Sequence, residues 1–309
     1  MRDAACRGWI EIADRPEFVF LTGDLGFKAL EPLRARAGRR FINAGVAEQN
    51  MVSVAAALAH EALRPWVYSI APFCYARPFE QIRNDVCLHG LPVQFVGNGG
   101  GYAYGPMGAT HHALEDYGVL STLSGLRAYV PAFDEDVGPV IAAMSVSPFP
   151  GYLRLGVTEK PKDESAPPFA PWRRLTKGDG PVLIGVGPLV GCVWDEIRAL
   201  PERQRPELWA VGVLPLERAP PPEEFRRIFA EAPRAVVVFE EHVAQGGFAQ
   251  MFAAWALGCG LPVASFRALS AQGYVSGTYG SQAFHRRESG IDARSVLDAA
   301  LGRPNRRAS

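Results

Sequence analysis

Cysteine is scarce and poorly spaced for crosslinking: Cys6, Cys74, Cys87, Cys192 and Cys259 are odd in number, far apart and form no C-x-x-C pair. That spacing argues against a structural zinc and against a disulfide framework, and suits small buried thiols in a reducing cytoplasm. Net charge is lacking as well. Thirty-two Lys plus Arg cancel 32 Asp plus Glu, so no overall field draws the chain to nucleic acid or to an anionic membrane. Long apolar runs are missing too: the longest, Met51 to Ala59, is half the roughly 18 residues that span a bilayer, and Arg2, Asp3 and Arg7 break any signal-peptide pattern. No repeat recurs at a solenoid period. The expectation is a soluble cytoplasmic protein with neither nucleic acid nor membrane as partner.

What is present is material for about two domains: 309 residues, 48% apolar and 21% charged. Short β-rich runs at Phe18–Thr22, Trp66–Ser69, Pro92–Val96, Arg127–Val130 and Tyr152–Leu155 alternate with helical patterns at Val46–Glu61, Cys74–Leu88, Ala113–Leu123 and Asp134–Met144. Such alternation predicts a mainly parallel sheet covered on both faces. From 159 to 180 the pattern dissolves into Pro and charged residues, as in an extended linker. Beyond it, Val182–Val186, Leu208–Val213, Ala235–Phe239 and Pro262–Phe266 read as strands, and the tail after Arg303 reads as frayed. The predicted fold class is therefore α/β: two three-layer α/β domains with mainly parallel sheets, over 1–158 and 181–309.

Three segments hold residues suited to chemistry. In FINAGVAEQNMVSVAAALA, Glu48 falls two or three residues into a helix whose following turns are almost wholly apolar, so a carboxylate is carried toward a core. A plain helix-end carboxylate, favoured by the macrodipole, is the simpler account of that residue alone. Downstream, Phe73 leaves a strand and Arg77 opens the next helix at the sheet edge where ligands collect. A ring and a carboxylate together suit a flat heteroaromatic ligand, stacked by one and hydrogen-bonded by the other. The third segment, Gly97 to His112, is a glycine-dense loop ending in His111 and His112. No further Cys or His falls at ligand spacing, so a substrate-facing imidazole fits better than a metal, with a structural capping histidine as the alternative.

Taken together, Leu21-Thr22-Gly23-Asp24-Leu25-Gly26, Gly45-Val46-Ala47-Glu48-Gln49-Asn50-Met51, Phe73 with Arg77 to Arg83, Thr110-His111-His112 with Glu115-Asp116, and Tyr152-Leu153-Arg154 resemble the transketolase and deoxyxylulose-phosphate synthase family of thiamine diphosphate enzymes. Glu240-Glu241-His242 with Gly246-Gly247 resembles the family's carboxy-terminal signature. The resemblance covers nearly the whole chain, as the pyrimidine-binding and carboxy-terminal domains. It implies that Glu48 hydrogen-bonds a pyrimidine nitrogen and favours the imino tautomer, and that Phe73 stacks on that ring. It further implies that Asp24, Tyr68 and Arg77 line or brace the site. His111, with His112 beside it, would meet the donor's oxygens and Arg154 a substrate anion.

The departures from that pattern matter as much. Met107 stands where many members carry an aspartate, four residues before the histidine, and Gly100 stands where phosphosugar enzymes often place a cation. Both weigh against an ordinary pentulose phosphate as donor, although Lys28 is a candidate replacement cation. The family's diphosphate and magnesium motif, Gly-Asp-Gly followed by Asn, has no proper counterpart. Gly178-Asp179-Gly180 lies in the expected linker, and the Asp24 and Asn50 pair lacks the right neighbours. No metal ligands are therefore assigned to this chain. The resemblance implies the pyrimidine side of a split transketolase-like enzyme. A separate diphosphate-binding subunit would hold thiamine diphosphate through Mg2+ in a two-plus-two heterotetramer acting on a sugar or sugar phosphate. The alternatives are a beta subunit of a 2-oxo acid dehydrogenase and a catalytically silent scaffold; Glu-Gln-Asn-Met and Thr-His-His favour the transketolase side.

Overall fold

A computed structural model describes residues 1–26 and 28–303; the tail expected to fray lies outside the described residues. The strands, in chain order, are β1 (Phe18–Thr22), β2 (Phe41–Asn43), β3 (Arg64–Ile70), β4 (Gln94–Asn98), β5 (Arg127–Tyr129) and β6 (Gly151–Leu155). They continue with β7 (Trp172–Thr176), β8 (Val182–Val186), β9 (Glu207–Val211), β10 (Val213–Leu214), β11 (Arg234–Glu240) and β12 (Val263–Leu269). A seven-stranded sheet has the order β10-β5-β6-β4-β3-β1-β2, and a five-stranded sheet the order β12-β11-β8-β9-β7. Among the described residues only β10 and β7 run antiparallel to their neighbours. The expected class, two three-layer α/β units with mainly parallel sheets, is what the chain adopts.

Alternation along the buried strands explains the layering. Phe18 and Phe20 of β1 face Trp9, Val137 and Ile141 of the helices Arg2–Ile12 and Asp134–Val146, whereas Val19 and Leu21 face Met51 and Val52 of the helix Glu48–His60. Both faces of the sheet are therefore apolar, as parallel sheets demand. In the second sheet, Leu183 joins Val190 and Val193 on one face, and Val182 and Ile184 join Phe225 and Phe252 on the other. One core cluster runs without a break from Val52 and Tyr117 to Val186 and Phe248.

Several elements differ from the sequence expectation, each for a local reason. The expected helix Cys74–Leu88 is three pieces, Ala71–Tyr75, Phe79–Gln81 and a wide turn at Ile82–Cys87; Pro78 has no N–H to offer and disfavours helix at Arg77 before it. The expected helix Ala113–Leu123 contracts to Asp116–Leu120, because Ala113 instead exchanges backbone hydrogen bonds with Gly101. The run Leu208–Val213 divides at Gly212: β9 stays in the second sheet, and β10 pairs Val213 with Tyr129 in the first. The stretch expected to be linker supplies β7, whose Trp172 pairs with Val211. The amino-terminal helix was not anticipated.

The two sheets are joined by side chains at the end of β11. The Glu240 carboxylate accepts from the Phe248 and Ala249 N–H groups at 2.8 and 2.9 Å and from the Tyr117 hydroxyl across the boundary. His242 stacks on Tyr117 with ring centroids 4.1 Å apart and accepts from the Gly118 N–H at 3.2 Å, while its Nδ1–H donates to the Val243 carbonyl. Gly118 has to be glycine, since a Cβ there would lie 2.7 Å from the His242 ring.

Burial, the largest cause in each case, holds His112, His242 and His285 below the ordinary imidazole value of 6.5. The folded chain therefore keeps them neutral while the unfolded chain protonates them, so their stabilisation is complete above pH 6.5 and declines as pH falls below it. Urea unfolding should give a midpoint that drops between pH 7 and pH 5.5; a flat profile over that interval would contradict neutral burial of these rings.

Candidate functional site

The candidate site forms where β1, β3 and β4 end. A short turn after β2 delivers Glu48 as the first residue of its helix, and its carboxyl is packed in so that the side chain is only 4% exposed. A Cβ placed on Gly23, just past β1, would sit 3.7 Å from Glu48 Oε1, so the carboxyl lies beside the strand end. Arg77, itself 45% exposed, donates from Nη1 to Glu48 Oε1 at 2.8 Å. Its guanidinium carbon lies 3.8 Å from the centroid of the Phe73 ring. Phe73 then meets the edge of His111 at 5.3 Å, and Tyr104 approaches His111 at 5.9 Å. Carboxylate, ring and imidazole, far apart along the sequence, are thus within one chain of contacts.

His111 is oriented by its neighbour: Thr110 Oγ1 lies 2.9 Å from Nδ1, and among the described residues Nε2 has no hydrogen-bond partner. That nitrogen is available to a ligand. Met107, 53% exposed, shares the loop with His111. Asp24 is exposed in the turn after β1, with φ of 58°, and exchanges two hydrogen bonds with Asn43: Asn43 Nδ2 donates to Asp24 Oδ1 at 2.8 Å and the Asp24 N–H to Asn43 Oδ1 at 3.1 Å. The Lys28 N–H donates to Glu31 Oε1 at 2.6 Å in the exposed loop that follows.

Three expected site residues stand elsewhere. Tyr68 points to the opposite face of β3, buried against Trp9 and Phe20 in the core under the amino-terminal helix, because the strand's alternation puts residue 68 on that side. His112 is fully engaged below the loop: Nδ1 meets the Tyr274 hydroxyl at 2.9 Å and Nε2 the Gly105 carbonyl at 2.8 Å. Arg154 is 3% exposed and cannot reach a substrate anion. Its Nε pairs with Asp116 Oδ2 at 2.9 Å, and its Nη2 donates to the Ala113 and Glu241 carbonyls at 2.8 and 2.9 Å. Gly100 lies directly against it: any Cβ would fall 2.3 Å from Arg154 Nε, so a cationic side chain at 100 has no room.

Tyr104, Asp116 and Glu241 were not assigned roles from the sequence. Asp116 and Glu241 lay inside the motifs named above, and a paired charge between buried apolar runs was the signal available for them. Tyr104 sat among the glycines of the loop, and nothing in its local pattern distinguished it.

Comparison with known proteins gives the family. Residues 10–159 match the family model described as the transketolase pyrimidine-binding domain. Over 268 residues the chain is 30% identical to an apulose-4-phosphate transketolase subunit of Actinobacillus succinogenes, covering 85% of this chain and 84% of that protein. It is 31% identical to the 1-deoxy-D-xylulose-5-phosphate synthase of Myxococcus xanthus over 88% of its own length but only 46% of that relative. A split-gene transketolase solved as an inactive beta4 tetramer superposes with a TM-score of 0.80 at 25% identity, covering 97% of this chain and 96% of that one. Transketolase from Leishmania mexicana shares the fold, with a TM-score of 0.76 at 17% identity over 46% of its length.

The buried Arg154 yields a test that separates structure from substrate contact. Arg154→Met leaves Asp116 as an uncompensated buried charge and should cost about 3–5 kcal/mol of stability in chemical denaturation. A stable variant with a selectively raised KM for a phosphorylated substrate would instead return Arg154 to the site.

Proposed function

Because the chain belongs to the transketolase family, we propose that it is the pyrimidine-binding subunit of a two-component, thiamine diphosphate-dependent transketolase-like enzyme. It would move a two-carbon ketol unit between sugars or sugar phosphates. The observation that carries this reading is the contact set of Glu48, Phe73 and His111 at one sheet edge. Support for a phosphorylated sugar comes from the Actinobacillus relative, whose name gives apulose 4-phosphate as that protein's substrate. Support for a separate partner comes from the same name, which makes that protein, of closely similar length, one subunit of its enzyme.

The residues fit the pyrimidine end of the cofactor. Glu48 is buried and, among the described residues, hydrogen-bonded through Oε1 alone, so Oε2 can meet a protonated ring nitrogen, and Phe73 is half-buried and offers a flat apolar surface. When bound, thiamine diphosphate supplies an acidic carbon and an electron sink for cleavage of a carbon–carbon bond. Glu48 holds or gives up a proton at the ring nitrogen, which sets the protonation of the ring's exocyclic amine. The His111 Nε2 orients a substrate hydroxyl or carbonyl oxygen, and Asp24 and Arg77 brace the edge. Among the described residues no three His, Cys, Asp or Glu side chains group as metal ligands. In this reading Mg2+ and the diphosphate are held by a separate subunit, in a two-plus-two heterotetramer within the cytoplasm. No helix among the described residues is long and apolar enough to cross a membrane.

Glu48→Gln tests the reading, since it preserves volume and removes only the ionisable group. In the assembled complex, a proton-relaying carboxyl should lose on the order of 100-fold or more in turnover, with assembly intact. A helix-end carboxylate should lose only about 0.3–1 kcal/mol of stability. Near-normal turnover with a lowered melting temperature would assign Glu48 to the helix end and favour a silent scaffold.

A further inference from the structure

Arg154 is buried and Gly100 is sterically closed, so neither position at which the family resemblance puts a cation beside His111 offers one to an anionic substrate. A cavity of about 600 Å³ lies just past the ends of β4 and β6, lined by Arg2, Arg7, Asn98 and Tyr104. Its size is that of a small-molecule site. Tyr104 is the wall between this cavity and the candidate site, because its ring also contacts His111 at 5.9 Å.

The polar groups facing the cavity are not used up by the fold. The Tyr104 hydroxyl accepts from Asn98 Nδ2 at 2.8 Å, which leaves its own proton to donate. Arg7 is exposed and has no carboxylate partner among the described residues. Arg2 has only Asp3 at 3.6 Å, an exposed pairing of neighbours on one helix that water largely screens. The other carboxylate in the lining, Asp134, is held at 2.7 Å by the Met1 amino group. Two arginines and a hydroxyl proton therefore line one space with little opposing charge, and planar guanidinium forks are matched to phosphate oxygens.

We propose that this cavity is the subsite for the phosphate of a phosphorylated sugar, with Arg2 and Arg7 as its cations and the Tyr104 hydroxyl as a hydrogen-bond donor. The assignment rests on reading the Glu48, Phe73 and His111 edge as the reaction site, which puts the phosphate one side chain away from His111. These residues set specificity and do no chemistry. They replace the charge that Gly100 withholds.

The test uses D-ribose 5-phosphate and D-ribose as probes. Ligand-observed NMR on the intact chain should show saturable binding of D-ribose 5-phosphate, weakened about 10–100-fold by Arg2→Gln with Arg7→Gln, the usual scale for lost charge-assisted hydrogen bonds. Binding of D-ribose should not change. In the assembled complex the same double variant should raise KM for the phosphorylated sugar by a similar factor with kcat retained. Tyr104→Phe, which keeps the ring contact with His111, should give a smaller loss of the same kind and decides the matter if the double variant folds poorly. Absence of saturable binding by the unaltered chain, unchanged affinity in the variants, or equal loss for both sugars would each overturn the subsite. Phosphate-selective loss alongside a Glu48→Gln complex of normal turnover would keep the subsite and remove the catalytic reading, so the two failures are distinguishable.

Discussion

A guanidinium that is 3% exposed has left nearly all of its water behind, and Arg154 recovers that cost only through the groups gathered around it. Asp116 supplies the counter-charge at 2.9 Å and is itself held by the Tyr152 hydroxyl at 2.8 Å. The carbonyls of Ala113 and Glu241 accept from its Nη2, and Tyr117 presents its ring 5.0 Å away. Those partners come from β6, from the segment that closes the glycine loop and from the end of β11. One buried cation therefore fixes the second sheet against the first and sets the neck of the loop that carries His111. Gly100 follows from the same constraint, since the Arg154 side chain occupies the space a Cβ would need.

The neck is reinforced from the carboxy-terminal side. The Glu241 carboxylate accepts from the Tyr102 N–H at 2.6 Å and from Gln282 and Arg286, tying loop, strand end and late helix together. Gly101, with φ of 65°, admits that carboxylate where any Cβ would stand 2.7 Å from it. His112 secures the underside of the loop through Gly105 and Tyr274. The carboxy-terminal signature, Glu240-Glu241-His242, is thus a joint between sheets. Its effect on the site is indirect: it holds still the backbone on which His111 stands, the kind of support that a positioned imidazole requires.

Legibility in the sequence divided along physical lines. Strands buried on both faces announced themselves, because runs such as Phe18–Thr22 and Val182–Val186 can be little else, and the α/β class followed from their alternation with helices. Glu48, Phe73 and His111 stood out as candidates because their residue types are costly or unusual where they stand, and the structure brings them into one chain of contacts. Tyr68, His112 and Arg154 were misplaced by the opposite difficulty. Membership in a motif does not say which face of a strand a residue takes, and a single residue shift moves a side chain across the sheet. Arg154 in particular looked like an anion receptor until its partners, Asp116 and the Glu241 carbonyl, were brought near by tertiary structure. The crossing of β10 into the first sheet was invisible for a related reason: Val213 and Leu214 have no local pattern that separates them from β9.

In the proposed enzyme this chain supplies the pyrimidine-facing half of a site whose diphosphate-holding half lies on another subunit. Calorimetric titration of thiamine diphosphate with Mg2+ into the chain alone, and into the chain assembled with a diphosphate-binding subunit, addresses it directly. Poor binding by the chain alone and tight, magnesium-dependent binding by the assembly is the predicted result. Micromolar, magnesium-dependent binding by this chain without a partner would contradict it.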